Sequence, residues 1–320
     1  MSIARTVAAA LFATTFAAAY AQTFPSRPIH VIVPFPPGGT ADLTTRILAD
    51  HLAKGLGQPV IAENRPGAGA VIGYEAGARA AGDGHTLLVT FPSFVINPLL
   101  KPNLKYDPLK DFHAVGQTIS VPMVFAVNPS VPAKTLQELV ALARAKPGTI
   151  AYGTPGAGTT HHVIGEMFRL AAKIDIVHAP FQGGGPAITA VSGGHIPMVL
   201  ANASEVVPFA KNGKVRALAV TTAERAEVFP DVPTIREVGY PEVESTNWTG
   251  LVVPLTTPAA AVSRLNEELQ RALRSADVVE KFRTFGMSAA PGTPEQFEAL
   301  LRSEAARYAK VVREAGIKAD

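Results

Sequence analysis

Short apolar, β-branched runs alternate with stretches of helical period along most of the chain, and clusters of glycine and proline separate them. The first run, 29–33, stops at Pro34-Phe35-Pro36-Pro37-Gly38-Gly39. Leu43, Ile47, Leu48 and Leu52 then share one face of a helix predicted over 40–54, which Gly55 and Gly57 stop. A strand over 59–63, a turn into a helix that reaches about residue 81, and a strand over 86–90 complete a β-α-β-α-β series. That order argues for a largely parallel sheet in an α/β fold. Further strands are predicted over 121–127, 150–152, 174–178, 198–201, 216–220 and 248–253. Helices are predicted over 134–145, from Thr160 onward, and over 185–192, 259–275, 276–285 and 294–315, their charged residues lying on solvated faces.

Two of the turns share one design. Gly38-Gly39-Thr40 and Gly153–Thr160 each carry the chain from a strand into a helix. The first N–H groups of a helix have no intrahelical partner and carry partial positive charge, so such a turn is a ready anion site. No lysine or arginine lies between Val31 and Thr45, so an anion held there is held by backbone and hydroxyl donors. The plainer reading, that glycine- and proline-rich turns only turn, stays open at this point. Residues 64–73 are not a dinucleotide fingerprint: the glycines at 67, 69 and 73 give a spacing one residue too long.

Composition narrows the field. With 320 residues, 47% hydrophobic and 17% charged, the chain is globular and long enough for two domains. A net charge of +3 without a basic run argues against nucleic acid as a partner. Arg5, the alanine-rich apolar stretch 7–19 and Ala19-Tyr20-Ala21 read as a cleavable secretory signal peptide over 1–21, which makes the mature chain an exported one. There is no cysteine, hence no disulfide, no thiolate chemistry and no lipid attachment through sulfur. No later segment is long and apolar enough to span a membrane. His161-His162 invite an enzyme or metal reading, with Glu166 one turn beyond His162. Yet no third ligand is evident and no H-E-x-x-H motif exists, so neither a metal nor a cofactor is assigned.

The chain resembles the Bug-type (TctC-like) periplasmic solute-binding proteins, the receptors of tripartite tricarboxylate transporters. The resemblance runs through "RPIHVIVPFPPGGTAD" (27–42), "ENRPGAGAVIG" (63–73), "GHTLLVT" (84–90) and "NPSVPAKTLQELVALARAKPG" (128–148). It continues in "HAPFQGGGPA" (178–187), "VRALAVTT" (215–222), "FPDVPTIREVGYP" (229–241), "WTGLVVPLTTP" (248–258) and "TPEQF" (293–297). It implies a two-lobed, type II (Venus-flytrap) binding-protein fold, with two mixed, mainly parallel sheets flanked by helices and joined by a hinge. Lobe 1 would comprise 22–123 and 226–320 and lobe 2 would comprise 124–225, the chain crossing near 123–126 and returning near 223–229. Ligand would lie in the cleft and be sequestered as the lobes close.

The resemblance further implies a monomeric receptor that captures a small organic carboxylate, dicarboxylate or aromatic, and delivers it to TctA/TctB-like membrane subunits. In the first turn, Gly39 and Thr40 are donors to a carboxylate. Phe35 either covers an apolar ligand body or packs in its lobe. Asp42 either caps the first turn of the helix, or accepts from a ligand hydroxyl or amine, or orders the loop. Ser93 either bonds ligand or caps its own loop. Thr154, Gly158, Thr159 and Thr160 form the second grip, with His161 beside the anion. By family analogy Phe181, Gln182 and Gly183 begin a turn that faces the cleft. Phe181-Gln182 stands where members often carry Tyr-Lys, which implies a less polar or differently shaped second lobe. Asn202 and Ser204 either donate to ligand or cap the helix that follows. Two other classes stay open: an exported α/β hydrolase, if Ser93 or Ser192 lies within reach of His161 or His162, and a ligand sensor for a signalling partner.

Overall fold

The computed structural model describes residues 24–317, so the signal peptide read at 1–21 lies outside the described residues. The first series folds as strand β1 (Ile29–Val33), helix α1 (Thr40–Leu56), β2 (Val60–Asn64), α2 (Val71–Ala78) and β3 (Thr86–Thr90). β1 lies between β2 and β3, parallel to both. Helix α1 buries Ala41, Leu48, Leu52 and Leu56 against this sheet. It ends at Gly57, whose φ of 69° is the left-handed conformation that glycine adopts without penalty.

Strand β4 (Phe112–Val127) is the axis of the molecule and far longer than the predicted 121–127. Its first part pairs antiparallel with β9 (Thr246–Pro254), from Phe112 opposite Pro254 to Pro122 opposite Thr246. Its last five residues pair antiparallel with β7 (Met198–Asn202), and Val124–Val127 also pair with β8 (Arg216–Val220). One strand therefore serves two sheets. The register shifts between Ala114 and Gly116 and again between Gln117 and Ile119. Such bulges break the period of two, which is why the sequence pattern does not declare this half of the strand.

The second sheet continues from β7 through β5 (Ile150–Thr154) to β6 (Ile176–Pro180), all parallel, with helices α4 (Leu136–Ala145), α5 (Thr160–Ala171), α6 (Gly184–Ser192) and α7 (Ala203–Lys211) between its strands. Helix α3 (Ser93–Leu100), absent from the sequence reading, begins directly after Pro92 and carries Pro98 inside it, both of which hide its period. The chain closes with α8 (Ala259–Leu273), α9 (Ala276–Thr284), the two-residue β10 (Ser288–Ala289) on β4, and α10 (Pro294–Ala315). No helix among the described residues is long and apolar enough to cross a membrane.

Beyond β8 the chain packs again on the second sheet. The Ile235 N–H donates to the Val220 carbonyl at 2.7 Å. Ile235, Val238 and Val243 are buried with Phe125, Phe168 and Leu218 in the second core. The chain stays with that half until Ser245, where Thr221 and Ser245 exchange backbone and side-chain hydrogen bonds beside Met123. Proline-rich connections carry no periodicity, so this packing was not readable beforehand.

Candidate functional site

Five helix N-termini, those of α1, α3, α5, α6 and α7, converge where the two halves meet, and the strand-to-helix turns shape a nearly closed cleft whose cavity is about 20 Å3. Phe35, Pro36, Pro37, Phe91, Pro155 and Pro186 form its apolar wall. Phe35 meets Phe91 edge to face, ring centroids 5.2 Å apart. The polar lining comes from Thr40, Ser93, Thr159, Thr160, His161, Asn202, Asn247 and Glu205, and among the lining residues there is no lysine or arginine.

The first turn is held from behind. Gly38, at φ 83°, donates its N–H to Asp42 Oδ2 at 3.0 Å, and Asp42 Oδ1 accepts from Asn64 Nδ2 at 3.1 Å. Arg46 Nε donates to the same carboxylate at 2.9 Å. Burial alone would raise the Asp42 pKa, but these donors and the Arg46 charge outweigh it and hold the group below its ordinary value. Asp42 thus holds the loop from behind and lies outside the cleft lining. The second turn is held in the same manner. The Thr159 hydroxyl donates to the Gly156 carbonyl at 2.7 Å and accepts from the His162 N–H. Thr154 Oγ1 pairs with His178 Nε2 at 2.7 Å, and the Gly158 N–H donates to His162 Nδ1 at 3.3 Å. His162 stacks on His178 with centroids 4.0 Å apart.

Between the turns runs a buried polar network. Asn202 Nδ2 donates to Thr40 Oγ1 at 2.9 Å, and Thr40 Oγ1 pairs with Ser204 Oγ at 2.8 Å. Asn202 Oδ1 accepts from Asn247 Nδ2 at 2.9 Å and faces His161 Nε2 at 3.0 Å. Because Oδ1 can only accept, the proton of His161 sits on Nε2. Burial pushes the His161 pKa down to about 4 against the opposing pull of Asn202, so the ring is neutral at pH 7. Glu205 Oε1 accepts the Thr40 N–H at 3.3 Å and Oε2 accepts the Asn202 N–H at 3.2 Å. Burial raises the Glu205 pKa despite these two bonds.

Across the mouth the halves touch. A Cβ on Gly69 would lie 2.1 Å from the Ala157 carbonyl oxygen, and one on Gly158 would lie 2.5 Å from Asn97 Oδ1. A Cβ on Gly183 would lie 2.9 Å from Pro36 Cδ. The arrangement is a shut cleft whose lips meet through glycine.

Of the residues named from sequence, Phe35, Gly39, Thr40, Ser93, Thr159, Thr160, His161, Gly183 and Asn202 line the cleft together. Thr154 and Gly158 stand behind the second turn, and Ser204 stands behind Thr40. Phe181 packs its ring against Gly153 while its N–H donates to the Thr154 carbonyl, and Gln182 is exposed. Phe91, Glu205 and Asn247 were not picked out. Glu205 had a signal, since it stands three residues after Asn202 in a capping-box spacing; Asn247 reaches the site from a distant strand and had none. The hydroxyls weighed for hydrolysis are engaged elsewhere: Ser93 Oγ pairs with Tyr74 Oη at 2.7 Å and Ser192 Oγ donates to the Thr189 carbonyl at 2.9 Å. Among the described residues no three His, Cys, Asp or Glu side chains gather as a metal site.

Two lobes closing on a cleft lined by helix N-termini define a solute-binding protein of the periplasmic class. The chain belongs to the tripartite tricarboxylate transporter receptor family (TctC), whose model matches residues 44–317. It is 38% identical over 300 residues to Protein BugT of Bordetella pertussis, covering 93% of this chain and 92% of that one. Among solved structures it is similar to the periplasmic binding protein BugD, at 30% identity and a TM-score of 0.89, covering 92% and 99% of the two chains. It is also similar to R. palustris Rpa4515 with adipate (31%, TM-score 0.89, 92% and 99%). MatC from Rhodopseudomonas palustris with bound malate gives 33%, a TM-score of 0.87, and 90% and 100% coverage. Members of this family are solute-binding receptors rather than enzymes.

His161 makes the site sensitive to acid. The unfolded chain takes up a proton near pH 6.5 that the folded chain refuses until about pH 4, so stability is lost as pH falls through that window. At pH 4.5 the cost is about 2.5 kcal/mol. His161→Gln keeps an N–H for Asn202 without titrating. Urea midpoints at pH 7 and 4.5 are expected to fall further for the natural chain than for the variant; equal falls would count against the assignment.

Proposed function

We propose that this protein is a periplasmic receptor that captures a small organic carboxylate, a dicarboxylate or an aromatic acid, between its lobes and hands it to TctA/TctB-like membrane subunits. One observation carries the reading. Two glycine-rich strand-to-helix turns present the N-termini of α1 and α5 to one cleft that has an apolar wall and no cationic side chain. Backbone N–H groups at helix starts bind a carboxylate well and a bulky cationic clamp is not required. Thr160 adds a hydroxyl, and Phe35 and Phe91 receive the carbon skeleton. The adipate and malate bound to two relatives support the same ligand class. Export on a cleaved signal peptide and action as a monomer belong to this reading.

On this reading the lobe boundaries fall at Pro122/Met123 and Ser245/Thr246. Lobe 1 is then 24–122 with 246–317 and lobe 2 is 123–245, later at the second crossing than the sequence suggests because Ile235, Val238 and Val243 pack with lobe 2. Thermal melting of the mature chain against mono-, di- and tricarboxylates tests the function. A ligand at 100 times its Kd adds about 2.7 kcal/mol, so one acid class is expected to raise Tm by several degrees. Flat curves, with no acid released from denatured protein by mass spectrometry, would overturn it.

A further inference from the structure

One acidic side chain, Glu205, lines the cleft and faces the place where an anionic ligand is expected to lie. Glu205 is 9% exposed and its carboxyl bridges the lobes, with the Thr40 N–H of lobe 1 on Oε1 and the Asn202 N–H of lobe 2 on Oε2. A Cβ on Gly184 would lie 2.1 Å from Oε2 and 2.3 Å from Oε1, so glycine at the start of α6 makes room for the group. A carboxylate has about four acceptor positions, and these two N–H groups together with the Thr40 hydroxyl leave about one of them over. The remaining acceptor capacity lies in a cleft with no lysine or arginine in its lining to satisfy it. His161, the nearest other titratable group of the lining, is neutral and spends its Nε2 proton on Asn202.

We infer that Glu205 is a specificity-determining residue of the cleft: it accepts a hydrogen bond from a hydroxyl or ammonium group on the ligand and turns away a carboxylate at that position. The inference rests on the carboxylate-receptor reading and deepens it. The ligand carboxylate goes to the α5 turn of Thr159 and Thr160, since Glu205 already occupies the Thr40 N–H of the α1 turn. The skeleton lies against Phe35 and Phe91, and a donor on it meets Glu205. An anion there would stand beside a buried acid with no countercharge in the lining, whereas a donor takes up the acceptor capacity that the protein's own donors leave. Specificity of this kind is steep, because a site built for a donor penalises the analogue that lacks one.

The test is calorimetric titration of the mature chain with two matched series. One is phenylacetate, mandelate, phenylglycine and phenylmalonate; the other is butanoate, 2-hydroxybutanoate, 2-aminobutanoate and ethylmalonate. Within each series only the α-substituent changes, from hydrogen to hydroxyl, ammonium or carboxylate. The hydroxy or amino acid is expected to bind at least tenfold more tightly than the unsubstituted acid and than the dicarboxylate. In Glu205→Gln, which keeps the shape, the preference over the dicarboxylate is expected to shrink to within about threefold. The inference is overturned if the dicarboxylate matches the hydroxy acid in the natural chain, or if E205Q leaves the ranking intact. It is also overturned if neither series binds while other carboxylates do. Binding by no carboxylate of any kind would remove the receptor reading as well, so the two failures are told apart. The comparison in the natural chain stands even if E205Q does not fold.

Discussion

Gly69→Ala is expected to weaken carboxylate binding by ten- to a hundredfold while the ligand-free protein stays folded. The new methyl group would sit 2.1 Å from the Ala157 carbonyl oxygen across the mouth of the cleft. Backbone cannot yield as the tip of a flexible side chain would. The loop cannot retreat either, because Asn97 Nδ2 donates to the Gly69 carbonyl at 3.0 Å and Lys101 Nζ donates to the Ala68 carbonyl at 3.0 Å. The lobes must therefore stop short of full closure, and the ligand loses contacts on one side, about 1.4–2.8 kcal/mol of affinity. Gly69 also has φ 65°, so alanine there carries a backbone cost of about 1 kcal/mol that has nothing to do with closure. Gly57→Ala is the matched control. Its φ is 69° and a Cβ there meets nothing within 4 Å, so it carries the backbone cost alone. Calorimetry on both variants decides: if they bind alike, the contact between the lips does not limit closure.

Asn202→Ala is expected to cost about 3–5 kcal/mol of stability and to abolish tight binding. Asn202 is 2% exposed and joins three partners: Thr40 of α1, His161 of α5 and Asn247 of β9. Removing its amide strands the His161 N–H and the Asn247 amide in the interior, each at about 1–3 kcal/mol. Thr40 keeps Ser204 and suffers less. The cost exceeds that of a typical surface change because buried partners are left behind, not because the three bonds are strong. Asn212→Ala, on an exposed asparagine, is expected to stay within about 0.5 kcal/mol. Urea denaturation of both reports the difference, and similar midpoints would show that the network at the cleft floor is dispensable.

What the sequence disclosed was mostly local. β1, β3 and β8 are short and rich in branched residues, and their ends fall where the pattern put them. The turn at Gly38-Gly39 and the cap at Thr159 declare themselves through residues that are neighbours in the chain. The first half of β4 did not, because its bulges scramble the alternation of buried and exposed positions. Within the site, the lining that was legible belongs to the turns themselves. Glu205 and Asn247 meet the cleft only because the fold brings β7, α7 and β9 to the same cleft as the turn after β1, and such contacts leave no periodic trace. Asp42 and Thr154 stand at the right turns but spend their side chains behind the loops. Position along the chain placed them; direction of the side chain removed them from the lining.

The shared strand β4 sets how this receptor can breathe. Its residues up to Pro122 belong to one sheet and those from Met123 to the other, and no loop intervenes. Met123, Thr221 and Ser245 are tied to one another at the same level, so the crossings bend together. Pro122 has no N–H, so a bend beside it breaks no bond of its own. A change of angle between the two sheets at this level would bend paired ribbons and not a loop.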